Sequence, residues 1–351
     1  PEDRDFDDFV KWWPDDLKQF LLMSERFSIL GEIPESSGQA RIYQAWDIVD
    51  NSGLYAIKVF KSSNEGMFDT IEQKNAAAAE IKALQKLNQH PNILELIGVE
   101  FIEHTRQICL ITPWANAGNI QNFIGKTDEE IAHHLYRCFS VYYDMEEEED
   151  EFVANTVEKI AIEDINEAWL EESGMLIEIL EGLQYAHEQG IYHRDIKPAN
   201  ILLDINMNEE NEEYKITPRI CDFGAAKVRS SLAEITDPNR TLVSIQTKAY
   251  RWDHDHQTNP EGNLKEREYQ HTWDLVSWAV IAIEILMNKN VRSPAEALEW
   301  LRTELVTKID KELFALLSQA IAENPEERPT KISSFKESLI AVTERLRKGA
   351  Q

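Results

Sequence analysis

Residues 192–204 read YHRDIKPANILLD, and the triplet DFG follows at 222–224. The first stretch places a carboxylate, a lysine and an amide at Asp195, Lys197 and Asn200, and the second stretch adds a further carboxylate. Carboxylate and amide oxygens are ligands that Mg²⁺ accepts, and a lysine ammonium is a suitable partner for phosphate. The two stretches therefore predict a site for metal and phosphate that is built from two loops.

Transfer of a phosphoryl group from ATP requires this set of groups. A carboxylate orients the attacking hydroxyl and accepts its proton, oxygen ligands hold Mg²⁺, and a cation neutralises the moving phosphoryl group. We assign the proton-accepting role to Asp195 and the cationic role to Lys197. Asn200 and Asp222 are the expected metal ligands.

HRDIKPAN followed by DFG resembles the eukaryotic-type protein kinase family, and specifically its serine/threonine branch. Lys197, two residues after Asp195, is typical of serine/threonine rather than tyrosine specificity. The resemblance implies an α+β, two-lobed protein kinase fold with a β-rich N-lobe, a helical C-lobe and a cleft between them. It also implies ATP and Mg²⁺ as cofactors, transfer of the γ-phosphate to Ser or Thr hydroxyls of a protein substrate, and autophosphorylation of the activation segment.

The resemblance also implies which residues bind the nucleotide. Lys58, in a β-rich run, would hold the α- and β-phosphates and pair with Glu80 in the helix that follows. Thr112 would stand at the entrance of the adenine pocket, and backbone groups of Pro113 and Ala115 would meet the adenine edge. Three apolar side chains would enclose the ring: Ile42, Ala56 and Leu202. A packed spine anchored by Asp274 would contain Leu84, Leu96, His193 and Phe223.

The nucleotide loop departs from the family pattern. The three glycine positions of the family motif, counted back from Ile42, fall on Glu35, Ser37 and Ala40, and none of them is glycine. Glycine there permits close backbone approach, so its replacement is expected to stiffen the loop. Gly38 supplies one flexible joint, and the contacts of such a loop come largely from backbone N–H groups. We therefore retain Ser37 and Gly38 as nucleotide-binding residues and favour an enzyme.

The pattern of apolar residues divides the chain into four parts. Residues 1–26 are expected to form a helical extension, because apolar residues at helical spacing follow Pro14. Residues 27–115 contain short β-rich runs and one helix, and residues 116–345 are mostly helical. A tail covers 346–351.

Charge and composition limit the possible partners. The 351 residues carry a formal net charge of −28, which argues against nucleic-acid binding because phosphate backbones attract Lys and Arg. Acidic residues are concentrated in an insertion at about 126–172, expected to be a solvated segment, with a basic partner as the alternative. No apolar run is long enough to span a bilayer. Three scattered cysteines suit a reducing compartment, and we expect a cytoplasmic protein.

The segment after the DFG triplet holds the expected regulatory sites. Arg194 could bind a phosphate on this loop through paired hydrogen bonds. We interpret WDHDHQT, at 252–258, as a short insertion into the family pattern, after which Glu261 would pair with Arg328. Five side chains are candidate phosphorylation sites: Ser230, Ser231, Thr236, Thr241 and Ser244.

Two other functions remain open from the sequence. The glycine-poor loop favours a kinase-like scaffold, or pseudokinase, that binds nucleotide or partners without turnover. The intact set of Lys58, Glu80 and Asp195 opposes it. A small-molecule kinase of related fold is the second alternative, but such enzymes usually lack the pairing of an HRD aspartate with a lysine two residues later.

Overall fold

The structure is a computed structural model that describes residues 21–22, 26–33, 40–49, 53–60, 71–102, 107–142, 174–208, 213–225, 227–228, 248–252 and 272–350. The described residues form two compact units. The sheet unit contains those up to His90, together with Leu94–Trp114 and Phe223–Ala225. The helical unit contains Pro91–Ile93, Ala115–Asp222 and the described residues from Lys227 onward.

The sheet unit is built on six strands in the order β1-β5-β6-β4-β3-β2. Neighbouring strands are antiparallel except β1, which pairs in parallel with β5. The strands are β1 (Leu21–Leu22), β2 (Phe27–Glu32), β3 (Ala40–Asp47), β4 (Leu54–Phe60), β5 (Gly98–Ile102) and β6 (Gln107–Pro113). Side chains that alternate along β3, β4 and β6 meet in a buried cluster, as the period of two in a strand requires: Ala45, Ile57, Val59, Cys109 and Ile111.

The beginning of the sheet differs from the sequence-based expectation. Leu21 and Leu22 were expected to continue a helix, yet they pair with Val99 and Glu100 at the edge of the sheet. Their apolar character suits either structure, and the open edge of β5 offers backbone hydrogen bonds to a strand. Residues 1–20 lie outside the described residues.

The sheet unit also contains a helix and an ion pair between Arg26 and the buried Asp47. Helix α1 (Ile71–Leu87) is the one helix that the sequence predicted among the β-rich runs of 27–115, and it ends just before His90. Next to the turn after β3, the Arg26 guanidinium donates from Nε and Nη2 to Asp47 Oδ2 over 2.8 and 2.6 Å. Asp47 is fully buried, so this ion pair fixes the chain that enters β2.

The helical unit is organised around α4, in which every residue from Trp273 to Glu284 is buried. Trp278 donates from Nε1 to the carbonyl of Leu176 in α3 over 2.9 Å and meets Phe335 of α7 edge to face. The α-helices of this unit are α2 (Asp128–Tyr142), α3 (Met175–Glu188), α4 (Trp273–Met287), α5 (Pro294–Trp300), α6 (Lys311–Ala320) and α7 (Ile332–Ala350). A single π-helical stretch, Leu301–Leu305, follows α5 directly.

Four described strands lie in the helical unit and form two antiparallel pairs. A hairpin joins β8 (Ile201–Asn208) to β9 (Glu213–Ile220), and a second pair joins β7 (Ile191–Tyr192) to β10 (Lys227–Val228). Gly182 of α3 lies so close to this hairpin that an added Cβ would be 2.9 Å from Ile220 Cδ1 and 2.9 Å from the carbonyl of Asn92. The close approach at Gly182 therefore packs α3 directly against the end of β9.

The predicted α+β class, with a β-rich N-terminal part and a helical C-terminal part, is confirmed. Within the acidic stretch, residues 128–142 form α2, while 143–173 lie outside the described residues. His133 and His134 are in this helix, and His134 Nε2 lies 3.0 Å from the carbonyl of Ala117. Among the described helices, none combines the length and apolar character that crossing a membrane requires.

Candidate active site

The sheet unit brings the predicted lysine and glutamate together. Lys58 on β4 donates from Nζ to both carboxylate oxygens of Glu80 on α1, over 2.8 and 2.9 Å. The side chains of Lys58 and Glu80 are only 18% and 3% exposed. Ile57 and Val59 point into the core on either side, so the period of the strand directs Lys58 to the opposite face. Removal of either partner would leave a buried charge without compensation, which is strongly destabilising.

The DFG phenylalanine packs within the same unit. Phe223 is fully buried, and its short 3₁₀ turn, Phe223–Ala225, packs against α1. Leu84 on α1 and Leu96, just before β5, are each 2% exposed. The three sheet-unit members of the predicted spine are therefore core residues of that unit.

The predicted adenine-binding side chains occupy neighbouring strands of the sheet. Ala56 of β4 is the register partner of Thr112 of β6, and Ile42 of β3 is the partner of Lys58. Thr112 is buried, whereas Ile42, Ala56 and Pro113 are partly exposed. Ala115 and Leu202 belong to the helical unit and are partly exposed as well. Ser37 and Gly38 lie outside the described residues, so their role stays a prediction.

In the helical unit, Asp195 is held by two side chains of its own loop. Lys197 donates from Nζ to Asp195 Oδ2 over 2.7 Å. Asn200 donates from Nδ2 to the main-chain carbonyl of Asp195 over 2.8 Å and to Oδ2 over 3.4 Å. Within the described chain, Asp195 Oδ1 accepts no hydrogen bond, and the side chain is 16% exposed. One carboxylate oxygen is thus fixed while the other is available as a proton acceptor.

The donor set at Asn200 and Asp222 fits Mg²⁺. The Asn200 amide nitrogen is engaged by the carbonyl of Asp195, and its Oδ1 accepts no hydrogen bond from any described residue. The Cys221 amide donates to the Asn200 carbonyl over 2.9 Å, which brings Asp222 next to this loop. Asp222 itself has φ of 64°, a left-handed conformation that is uncommon for a residue other than glycine. An amide oxygen and a carboxylate are the oxygen ligands that this ion accepts.

Asp274 binds the backbone of the loop that carries Asp195, here called the catalytic loop. It is fully buried in the first turn of α4 and accepts three hydrogen bonds. The His193 amide donates to Oδ2 over 2.9 Å, the Arg194 amide to Oδ1 over 2.6 Å, and His187 Nε2 lies 2.8 Å from Oδ2. Burial raises the pKa of Asp274, but the hydrogen bond and charge of His187, with His193 and the Arg194 amide, lower it further, so its pKa falls below the ordinary value.

The Asp274 contacts hold the catalytic loop in a strained conformation. Arg194 has φ of 69°, which costs a residue with a side chain about 1–2 kcal/mol. The two amide bonds to Asp274 offset this cost. His193 accepts the Asp195 amide on Nδ1 over 3.3 Å, so its Nε2 carries the proton and donates to the Cys221 carbonyl over 2.8 Å. A single imidazole thus joins the loops that carry Asp195 and Asp222.

A second buried carboxylate anchors the segment before Trp252. Glu284 of α4 accepts hydrogen bonds from the Tyr250 hydroxyl over 3.1 and 3.2 Å and from the Val291 amide over 2.8 Å. Burial raises the pKa of Glu284 to about 7, against these hydrogen bonds, which lower it. The Ser277 hydroxyl donates to the Tyr250 carbonyl over 2.9 Å, so both ends of this tyrosine are tied to α4.

Trp252 anchors the beginning of the segment 252–258, whose interpretation as an insertion stays a prediction because 253–258 lie outside the described residues. Its indole is buried and donates from Nε1 to the Ile321 carbonyl over 3.0 Å. Arg328 binds the same turn, donating to the Ala322 carbonyl over 2.8 Å and to the Glu323 carbonyl over 3.0 Å. Trp252 and Arg328 therefore both bind the turn that follows α6, and the large apolar ring of Trp252 was the signal in the sequence.

Several predicted residues lie outside the described residues. These are Glu261, whose pairing with Arg328 stays a prediction, and the five candidate phosphorylation sites, Ser230, Ser231, Thr236, Thr241 and Ser244. The sequence-based reasoning did not identify His187, Trp273 or the pairing of Tyr250 with Glu284. The Arg194 and Arg251 guanidinium groups lie 5.6 and 4.2 Å from the centre of the Trp273 ring.

Comparison with known proteins shows that the chain is similar to protein kinases. Residues 37–348 match the family model described as protein kinase domain. Serine/threonine-protein kinase STY46 of Arabidopsis thaliana is 25% identical over 234 residues, which are 67% of this chain and 29% of that protein. Serine/threonine-protein kinase STY17 of the same plant is 22% identical over 282 residues, 78% and 38% of the two chains. Serine/threonine-protein kinase RAD53 of Saccharomyces cerevisiae is 23% identical over 263 residues, 74% and 25%. The chain spans well under half the length of these relatives.

Proposed function

Because the chain belongs to the protein kinase family, we propose that it is an active serine/threonine kinase that transfers the γ-phosphate of ATP to hydroxyl groups of a protein substrate. The names of the relatives, all serine/threonine-protein kinases, support this class of activity. Each unit holds a share of the chemical groups that the reaction requires, and in each unit these groups are already paired.

The proposal rests on the hydrogen bonds that hold Asp195. Lys197 and Asn200 fix one carboxylate oxygen and the main-chain carbonyl of Asp195, and Oδ1 is left without a donor in the described chain. A base needs one oxygen held in place and one oxygen directed to the proton that it accepts. A pseudokinase has no requirement for this arrangement, nor for the buried pair of Lys58 and Glu80.

The proposed reaction follows from these positions. The acceptor hydroxyl donates a hydrogen bond to Asp195 Oδ1 and loses its proton to this carboxylate as its oxygen bonds to the γ-phosphorus. The bond between that phosphorus and the bridging oxygen breaks, and ADP leaves with the electron pair. Lys197 stabilises the charge on the transferred group, and Lys58, oriented by Glu80, stabilises the remaining phosphates. Magnesium, held by Asn200 and Asp222, would supply positive charge to the phosphates.

The alternative is a kinase-like scaffold, and the substituted glycine positions of the nucleotide loop favour it. Glu35, Ser37 and Ala40 replace glycine at these positions. A loop with side chains there is expected to lower the affinity for ATP rather than the rate of transfer, because backbone N–H groups remain available. We therefore expect a raised KM for ATP together with turnover.

We also propose how the kinase is regulated, what its acidic insertion binds and where in the cell it is located. Phosphorylation of the segment at 225–250, by the enzyme itself or by another kinase, would place negative charge near Arg194. The acidic insertion would bind a basic partner or act as a solvated surface. We propose a cytoplasmic location, which suits three cysteines that are all free thiols.

The test is phosphoryl transfer from γ-labelled ATP with Mg²⁺ to a basic protein and to the chain itself. Asp195→Asn removes the base and is expected to abolish labelling. Glu299→Gln, which makes the equivalent change on an exposed face of α5, is the matched control and should behave like the wild type. A wild-type chain that binds ATP with Mg²⁺ but transfers no label, even after treatment with candidate activating kinases, would establish the scaffold.

A further inference from the structure

We propose that His134 of α2 is a positioning residue for ATP, which holds the backbone that follows Ala115 and thereby sets the affinity for the nucleotide. This inference rests on the proposed function, because it concerns the nucleotide site of the same kinase. Helix α2 belongs to the acidic stretch that was expected to be a solvated segment, so the sequence assigned it no role at this site. His134 acts through the peptide groups of residues 117 and 118.

The first step of the argument is the hydrogen bond that His134 donates. Its Nε2 lies 3.0 Å from the Ala117 carbonyl oxygen, which can only accept, so Nε2 carries the proton. Cys138 Sγ lies 3.5 Å from the same nitrogen, but burial raises the pKa of this thiol to about 11, so it stays neutral and is a weak acceptor. Ala117 is fully buried. Its carbonyl would therefore lose this donor without easy access to water.

The second step is the close contact between the His134 ring and the backbone. Gly118 has φ of 75°, and a Cβ added to it would be 2.8 Å from His134 Nε2. The ring also meets the buried Phe123 edge to face, with ring centres 5.6 Å apart. The imidazole is thus held between an aromatic side chain and the peptide groups that it contacts.

The third step is what this backbone carries. The Ala117 amide donates to the Leu203 carbonyl over 3.1 Å, and the Leu203 amide donates to the Gly118 carbonyl over 2.9 Å. Leu202, the next residue of β8, is predicted to enclose the adenine ring, and Ala115, two residues before Ala117, is predicted to meet the adenine edge. Rotation of the Ala117 carbonyl toward another donor would move both peptide groups of this pairing. The two predicted adenine contacts would then shift relative to one another.

Two substitutions of similar shape test the donor. Methionine and glutamine are both unbranched and of about the same length, and only glutamine has an N–H group near the reach of Nε2. His134→Met should raise the Kd for MgADP and the KM for ATP about three- to tenfold. It should change kcat and the KM for the protein substrate by less than about twofold. His134→Gln should return the Kd and the KM for ATP to within about twofold of the wild type.

The neighbouring histidine supplies the matched control. His133 is exposed on the same helix, so His133→Met makes the same change in side chain and should leave the nucleotide affinity unchanged. Titration calorimetry with MgADP measures the affinity without requiring turnover. Amide hydrogen exchange at Ala117 and Leu203, the two donors of the pairing, should rise in His134→Met and stay at the wild-type level in the other two variants.

The outcomes separate this inference from the proposed function. A folded His134→Met with the wild-type affinity for MgADP would overturn the inference, and so would a His134→Gln as impaired as His134→Met. A lower kcat with an unchanged KM for ATP would also overturn it. If the wild type binds MgADP but transfers no phosphate from ATP, the proposed function fails, while the affinities of the variants still decide the role of His134. A wild type that binds no nucleotide would overturn both.

Discussion

At the scale of single residues, Lys58 and Glu80 depend on one another. Lys58→Met would leave the carboxylate of Glu80, 3% exposed, without its ammonium partner. We expect a loss of about 1–3 kcal/mol in the free energy of unfolding as well as loss of phosphoryl transfer. Chemical denaturation of the single variant measures the first effect and labelling with γ-labelled ATP the second.

A double variant separates the two effects of Lys58. Lys58→Met combined with Glu80→Gln removes both charges, so most of the lost stability should return, whereas activity should not. If the double variant regained activity, the ammonium group would not be needed for transfer, and the role assigned to Lys58 would be wrong.

Glu284 gives the protein a pH-dependent stability. Its pKa is about 7 in the folded state and 4.5 as the ordinary value, so the folded protein retains a proton that the unfolded chain releases between these limits. The free energy of unfolding should therefore fall as the pH rises from about 4.5 to 7, by up to about 3 kcal/mol from this group. Glu284→Gln should flatten that part of the curve, which unfolding in urea at pH 5, 6, 7 and 8 would measure.

Tyr250→Phe is the companion to that measurement. It removes the hydroxyl that donates to Glu284 and leaves the ring, so the carboxylate loses a bond that favours its charged form. The fall in stability should then extend to a higher pH. An identical pH profile in the wild type and Glu284→Gln would show that Glu284 does not titrate in this range.

At the scale of elements, α3 can pack closely against the β8–β9 hairpin because Gly182 has no side chain. A Cβ at Gly182 would be 2.9 Å from both the Asn92 carbonyl and Ile220 Cδ1. Alanine is the better helix former by about 1 kcal/mol, but the clash with backbone should outweigh this gain and cost about 1–3 kcal/mol net. Thermal unfolding of Gly182→Ala should show a lower Tm. Gly31→Ala is the control, because nothing lies within 4 Å of its added Cβ.

The predictions from sequence succeeded where the chemistry is local. The residues around Asp195 lie within five positions of one another, so their spacing alone shows that they act together. His187 and Asp274 are 87 positions apart, and Trp252 is 69 positions from Ile321, so neither pairing has a local pattern. The strand at Leu21–Leu22 was missed because its partner is a distant sheet edge and not a neighbouring hairpin.

At the scale of the whole molecule, the folded domain begins before the region that matches the kinase family. The match begins at residue 37, yet β1, β2 and Arg26 precede it. A fragment starting at residue 37 would lose these two strands and leave the buried Asp47 carboxylate without the guanidinium. We expect a loss of about 3 kcal/mol or more, or an insoluble fragment. Equal Tm values for this fragment and the full chain would contradict that expectation.

The parallel pairing of β1 with β5 also has a consequence for synthesis on the ribosome. Leu21 pairs with Val99, so β1 leaves the ribosome without its partner strand and waits until 78 further residues have been made. Parallel pairings between distant segments form slowly, because the chain between them must first be brought together. During translation, β1 is therefore unpaired until β5 has emerged, and we expect its exposed apolar residues to be bound by a chaperone in this interval.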